Sequence, residues 1–208
     1  MKKIFFATAR DIGRECFKWA KENTPPDCCI VSDMSEADIV FSVMYDKILS
    51  PETIKNKTCF NFHPGVLPEY KGVGIYGWVI LNNESKTGIT LHLIDSGVDT
   101  GDIIEIREFL IADSDTAHSL FLKGEQTIFK MFKEWYHDLL AGHYIAVPQR
   151  KSQDKMYLSK DLKKAKNLTR YAKAFHFPNK ESAYYINQKS EKIYIDYTPK
   201  EKNNENIL

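Results

Sequence analysis

The sequence predicts an α/β domain on a mainly parallel sheet, and three observations support that class. Short runs rich in β-branched and aromatic residues alternate with helical periodicity up to His63, in the order β-α-β-β-α-β. One of these runs, residues 37 to 45, is almost continuously apolar, the pattern of a strand covered on both faces. At 208 residues and 43% hydrophobic content, the chain can bury one domain core and carry an appendage.

Taken in order, residues 2 to 7 read as a short apolar strand. Residues 10 to 23 carry Ile12, Cys16, Trp19 and Ala20 at helical spacing, an amphipathic helix for one sheet face, which Pro25-Pro26-Asp27 ends. Residues 28 to 32 and 37 to 45 are the next strands. Pro51 opens a short helix over residues 51 to 54, with Ser50 as its cap. Thr58-Cys59-Phe60-Asn61-Phe62-His63 is then a strand by composition, and Pro64, which lacks a backbone donor, stops it just after the histidine.

The spacing predicts a helix over residues 75 to 81 and strands over residues 89 to 94 and 103 to 111. Asp113, Ser114, Asp115 and Thr116 offer N-caps for a long helix to about Leu140, which Gly142 is placed to end. Its stripe of Leu120, Phe121, Ile128, Phe129, Phe132, Trp135, Tyr136 and Leu139 reads as core. Composition shifts after Pro148, which divides the chain into a main domain at 1–148 and a C-terminal part at 149–200. Residues 149 to 170 are polar and lysine-rich, with two short helical segments expected. Residues 183 to 186 and 192 to 197 read as a hairpin around a turn at 187 to 190. The polar tail at 201–208 is expected to be disordered.

Several function classes fall away. Lys and Arg number 29 against 28 Asp and Glu, a net charge of +1 without the basic excess of a nucleic-acid binder. Cys16, Cys28, Cys29 and Cys59 include no C-x-x-C pair and read as reduced, buried thiols. The first ten residues mimic a secretion signal, but the apolar run is short and Arg10-Asp11 follows at once, so they read as a strand. No run reaches membrane-spanning length, and a cytoplasmic location is expected. His92, His118, His137, His143 and His176 show no metal spacing, so no metal is expected. Gly72-Val73-Gly74-Ile75-Tyr76-Gly77 matches G-x-G-x-x-G but lacks the preceding strand that a dinucleotide fold requires. The loop from Asp95 to Asp102 fails as a calcium loop, with Gly97 and Thr100 where an oxygen ligand and a glycine are needed.

What remains is a site at a strand end. Side chains alternate along a strand, so Asn61 and His63 share one face while Phe60 and Phe62 take the other. An amide and an imidazole thus meet at the C-terminal mouth of a strand, where α/β folds bind ligands. The acidic loop from Asp95 to Asp102 lies between two apolar runs, and a carboxylate from it would orient or charge-stabilise His63.

Asn61-Phe62-His63-Pro64-Gly65-Val66-Leu67-Pro68-Glu69-Tyr70-Lys71-Gly72, followed by Asp95-Ser96-Gly97-Val98-Asp99-Thr100-Gly101-Asp102, resembles the formyltransferase family that uses 10-formyltetrahydrofolate. The resemblance covers roughly residues 38 to 110 well and the flanks weakly. It implies a Rossmann-like formyltransferase core, Asn61, His63 and Asp99 as catalytic residues, and 10-formyltetrahydrofolate as formyl donor without a metal. It also implies a folate slot from Tyr45, Lys47, Ile48, Leu49 and Asp95, with Asp46 where relatives carry glycine. Formyl transfer passes through a tetrahedral intermediate. Asn61 would donate an N–H to its oxyanion, while His63 takes the amine proton or, when protonated, donates to the oxyanion.

Within the family, the part after Pro148 is too short and too weakly charged for a tRNA-binding domain. The Ala7 to Gly13 segment lacks the phosphate loop of the glycinamide ribonucleotide enzymes, and the N-terminal regulatory domain of the hydrolases is not expected. The chain most resembles the short sugar N-formyltransferases, with Arg170 to Pro178 and Ala183-Tyr184 similar to their C-terminal element. That resemblance implies a UDP- or dTDP-linked 4-amino-4,6-dideoxy sugar as substrate, for surface glycan synthesis, with Lys71, Tyr76, Arg170 and Tyr184 as substrate-binding residues. The alternatives are a formyltransferase on another amine, such as an aminoacyl or peptide group, and a non-catalytic folate- or nucleotide-binding regulator. A Tyr- and Ile-rich exposed hairpin points to a homodimer.

Overall fold

The computed structural model describes residues 1–150, 156–158, 168–186, 190–195 and 197. Its elements run Lys2–Thr8 (β1), Asp11–Asn23 (α1), Cys28–Ile30 (β2), Ile39–Val43 (β3), Pro51–Ile54 (α2), Thr58–His63 (β4), Lys71–Gly72 (β5), Ile75–Leu81 (α3), Lys86–Leu93 (β6) and Ile103–Leu110 (β7). Then come Ala117–Ala141 (α4), Met156–Tyr157 (β8), Leu168–Phe175 (α5), Tyr184–Ile186 (β9) and Lys192–Tyr194 (β10).

Six strands form one sheet in the order β2-β1-β3-β4-β6-β7. Pairing is parallel from β2 through β4 and antiparallel for β4–β6 and β6–β7. All five residues of β3 are buried, as its apolar run requires at the middle of a covered sheet.

Phe60 and Phe62 of β4 face the helices α1 and α4. Phe60 stacks on Phe41 with centroids 5.5 Å apart, and Phe62 meets Phe132 edge-on at 5.9 Å. Ile128, Phe132, Tyr136 and Leu139 of the α4 stripe are buried in this core, while Trp135 and Phe129 are only partly buried. Burial of each such side chain contributes about 1.5–3 kcal/mol. Ala7, Val40 and Cys59 form a smaller cluster with Tyr45, Leu49 and Ile54. The opposite pattern of β4 therefore leaves Asn61 and His63 on the other face, at the end of the parallel strands.

Caps fall where the sequence puts them. Ser50 Oγ accepts the Thr53 N–H at 3.2 Å. Of the candidates ahead of α4, Thr116 is the cap, with a reciprocal pair of bonds to Ser119 at 2.9 and 3.1 Å. Asp115 is recruited instead to Lys123 and Ser119.

Four stretches differ from expectation. The strand expected at residues 37 to 45 is confined to Ile39–Val43, the residues that pair with β1 and β4. The strand expected at residues 28 to 32 is shorter, because this edge strand pairs only with Lys2 to Ile4. The strand expected at residues 89 to 94 starts earlier, at Lys86, because antiparallel pairing with β7 carries on into polar residues and sets Lys86 against Glu108 at 2.8 Å. Between residues 149 and 170, where two helical segments are expected, Met156–Tyr157 form a strand parallel to Lys71–Gly72, followed by the start of α5. Residues 151–155 and 159–167 lie outside the described residues, as do 187–189 of the hairpin turn and the tail at 201–208. The hairpin arms themselves pair antiparallel as β9 and β10.

Candidate active site

A cleft of about 1020 Å³ opens at the C-terminal ends of β1, β3 and β4. One wall is residues 44 to 49, which follow β3, and residues 94 to 100, which follow β6. The other is residues 72 to 77, the first turns of α4 and residues 174 to 181. Asn61 and His63 lie between these walls. This is the position at which open α/β sheets bind ligands, because the strands end there and the loops splay apart.

His63 is 3% exposed. Its Nε2–H donates to the Tyr70 carbonyl at 2.6 Å, so Nε2 carries the proton. Nδ1 lies 3.4 Å from Asp99 Oδ1 and is the nitrogen left for chemistry. Asp99 Oδ2 accepts the Gly72 N–H at 2.8 Å. Asp99 itself sits at φ 54°, a left-handed conformation that Asp tolerates better than most residues. Gly65 has to be glycine: a Cβ there would stand 2.8 Å from His63 Nε2 and 2.7 Å from the Tyr70 carbonyl.

The structure adds His92, which sequence reading left as an ordinary strand residue. Antiparallel register sets His92 of β6 opposite Asn61, and Thr90 opposite His63. His92 Nδ1–H donates to the Leu93 carbonyl at 2.6 Å, so Nε2 is the acceptor for the Asn61 amide, which donates to it at 3.1 Å. Burial, and next the neighbouring His63, push the His92 pKa down to about 4, which keeps the ring neutral and able to accept. The Asn61 amide is thereby oriented with its second N–H available to the cleft. Thr90 is fully buried, donates to the Gly65 carbonyl at 2.6 Å and accepts the Leu67 N–H at 3.1 Å, which ties down the turn after Pro64. The signal for His92 was present as period-two alternation, but only strand register could pair it with Asn61.

The remaining expected residues divide. Tyr45, Lys47, Ile48, Leu49 and Asp95 all line the first wall. Ile48 is 81% exposed on the cleft rim, and Asp95 is spent on its own loop, accepting from Gly97 N–H at 3.0 Å and the Thr100 hydroxyl at 2.5 Å. Tyr76 lines the second wall, and burial drives its phenol well above the usual tyrosine range. Lys71, Arg170 and Tyr184 are not among the lining residues. Lys71 is in β5, Arg170 in α5, and Tyr184 packs within the hairpin against Tyr194 at 5.8 Å.

An amide donor and an imidazole–carboxylate pair converging on a cleft at strand ends define a group-transfer site in which an oxyanion and a proton are handled side by side. A family model described as formyl transferase matches residues 8–133, more than half of the chain, and the chain belongs to that family. Among solved structures, a sugar N-formyltransferase from a Shewanella species superposes with a TM-score of 0.83 at 16% identity, covering 96% of this chain and 98% of that one. An N-formyltransferase from Helicobacter canadensis, in complex with folinic acid and dTDP-3-aminofucose, gives 0.73 at 24% identity, over 85% and 81% of the two chains. A formyltransferase from Anoxybacillus kamchatkensis, in complex with UDP-4,6-dideoxy-4-formamido-L-AltNAc and tetrahydrofolate, gives 0.62 at 28% identity, over 77% and 87%. Among the described residues, no helix is long and apolar enough to cross a membrane.

Proposed function

We propose that this chain transfers a formyl group from 10-formyltetrahydrofolate to the amine of a nucleotide-linked amino sugar. The observation that carries the reading is the convergence of the Asn61 amide and His63 Nδ1 on one two-walled cleft. Its support is the family membership and the folate and nucleotide-sugar ligands of the Helicobacter and Anoxybacillus structures. The acceptor we favour is a UDP- or dTDP-linked 4-amino-4,6-dideoxy sugar for surface glycan synthesis, with the reaction in the cytoplasm.

The wall at residues 44 to 49, with the apolar Ile48 and Leu49 among the cleft-lining residues, suits a flat heterocycle and would hold the folate. Bound there, 10-formyltetrahydrofolate supplies a formyl carbon on a nitrogen that can leave. As the acceptor amine adds to that carbon, the free N–H of Asn61 donates to the developing oxyanion. Such a donor is worth about 2.7–4 kcal/mol in comparable sites. His63 Nδ1 accepts the amine proton, because Nε2–H is committed to Tyr70. The Asp99 carboxylate at 3.4 Å stabilises the imidazolium that results. Collapse of the intermediate expels the folate nitrogen, to which the proton passes.

The test is tetrahydrofolate release with a panel of dTDP- and UDP-linked 3-amino and 4-amino sugars. Turnover with one sugar, abolished in His63→Ala, supports the reading. Folate binding without turnover across the panel moves the acceptor to a different amine. A protein that binds no folate overturns the proposal.

A further inference from the structure

The segment after Pro148 reaches the catalytic set from two directions. In the first, β8 lies parallel to β5, with Gly72 opposite Tyr157, and the Val73 N–H donates to the Tyr157 carbonyl at 2.9 Å. The Tyr157 ring stacks on Tyr70 at 5.0 Å with planes 13° apart, and Trp78 packs against it at 5.0 Å. Asn82 donates to the hydroxyls of Tyr70 and Tyr157 at 3.0 and 3.2 Å, and the Tyr70 hydroxyl donates to Glu84 at 2.6 Å. Gly72 has φ 103°, and a Cβ there would stand 2.1 Å from the Tyr157 carbonyl, so the two backbones meet where only glycine fits.

What this contact holds is the backbone from Tyr70 to Gly72. That backbone supplies the carbonyl that binds His63 Nε2–H and the N–H that binds Asp99 Oδ2. The second contact is Gln149, whose Nε2 donates to the Asp99 carbonyl at 3.0 Å and the Gly101 carbonyl at 2.8 Å. Two carbonyl acceptors demand a donor, which sets the orientation of that amide. Gln149 therefore braces the loop that keeps Asp99 in its left-handed conformation. Neither Gln149 nor Tyr157 lines the cleft, so neither acts by touching substrate.

We propose that Tyr157 and Gln149 are positioning residues for formyl transfer, clamping the Tyr70–Gly72 and Asp99–Gly101 backbones so that Asp99 Oδ1 stays at its 3.4 Å distance from His63 Nδ1. The proposal rests on the formyl-transfer reading of the cleft. The geometric demand is strict, since a misplacement of about 1 Å at a reacting group costs up to roughly a hundredfold in rate.

Tyr157→Ala, Tyr157→Phe and Gln149→Leu are compared with the wild type by turnover, folate affinity and melting temperature. Proton NMR of the substrate-free protein also follows the His63 Nε2–H resonance, assigned by its loss in His63→Ala. The expected result is a kcat lowered about tenfold or more in Tyr157→Ala and Gln149→Leu, with acceptor KM and folate Kd within about twofold. Tyr157→Phe keeps the stacked ring and restores turnover, and the His63 resonance shifts or broadens in Tyr157→Ala but not in Tyr157→Phe. An unchanged kcat in both Tyr157→Ala and Gln149→Leu overturns the proposal. So does a fall of kcat, folate affinity and melting temperature together, which marks a merely structural role. Absence of turnover even in the wild type would count against the formyl-transfer reading alone. The clamp is then decided by the His63 resonance, and an unaltered signal in Tyr157→Ala rejects it.

Discussion

The Asn61 amide donates to Nε2 of His92 at 3.1 Å across the β4–β6 pairing, so the expected oxyanion donor is aimed by a histidine on a strand of opposite direction. Replacing Asn61 with Ala removes the donor and should lower kcat about 10²- to 10³-fold. His92→Leu keeps the donor but frees its rotation, and the expected loss is smaller, about 10- to 100-fold. The double variant should be little worse than Asn61→Ala alone, because both act through one hydrogen bond. Steady-state turnover of the three variants checks this.

The same histidine makes stability depend on pH. Its pKa falls from an ordinary 6.5 to about 4 on folding, chiefly through burial, so the unfolded chain binds the extra proton between those values. Stability is whole above pH 6.5, declines as pH falls, and has lost this contribution completely below about pH 4. Linkage gives a loss of about 2 kcal/mol between pH 7.5 and pH 5. Urea denaturation across that range should show the slope, and His92→Leu should flatten it.

Gly124 of α4 lies against the hydroxyl end of Tyr76, where a Cβ would approach Oη to 1.8 Å and Cζ to 2.8 Å. Gly124→Ala must push the ring from the cleft wall, with an expected cost of about 1–3 kcal/mol and a raised acceptor KM. Tyr76→Phe in that background removes the closest atom and should recover part of both. Thermal melting and KM for the best acceptor measure the cycle.

Phe132 is fully buried and meets Phe6, Trp19, Phe41 and Phe62 edge-on at 5.6 to 5.9 Å, which places it where α1 and α4 press on the sheet. Phe132→Ala should destabilise the chain by about 3–5 kcal/mol through lost burial and an unfilled cavity. Chemical denaturation gives the value directly.

Much of the fold was legible because its signals are local. Apolar runs placed β1, β3 and β4, proline marked the start of α2 and the end of β4, and Gly142 the end of α4, while its start was narrowed to Asp113–Thr116, of which the structure uses Thr116. The strand Met156–Tyr157 was not legible. Two residues in a lysine-rich stretch carry no periodicity, and they are extended only because Lys71–Gly72 and the ring of Tyr70 receive them.

For the candidate site, the sequence by itself determined the chemistry of β4. The two-residue repeat of a strand puts Asn61 and His63 on one face, Pro64 ends the strand beside them, and the acidic loop brings a carboxylate into the same family pattern. Tertiary structure alone decided how those groups are used. That Nδ1 rather than Nε2 of His63 is free follows from the Tyr70 carbonyl, and the aim of Asn61 follows from His92, 31 residues further along the chain. The hold on Asp99 comes from Gly72 and Gln149. The physical reason is that hydrogen bonds depend on distance and direction across strand register and loop closure, which residue types and their spacing along one segment do not encode.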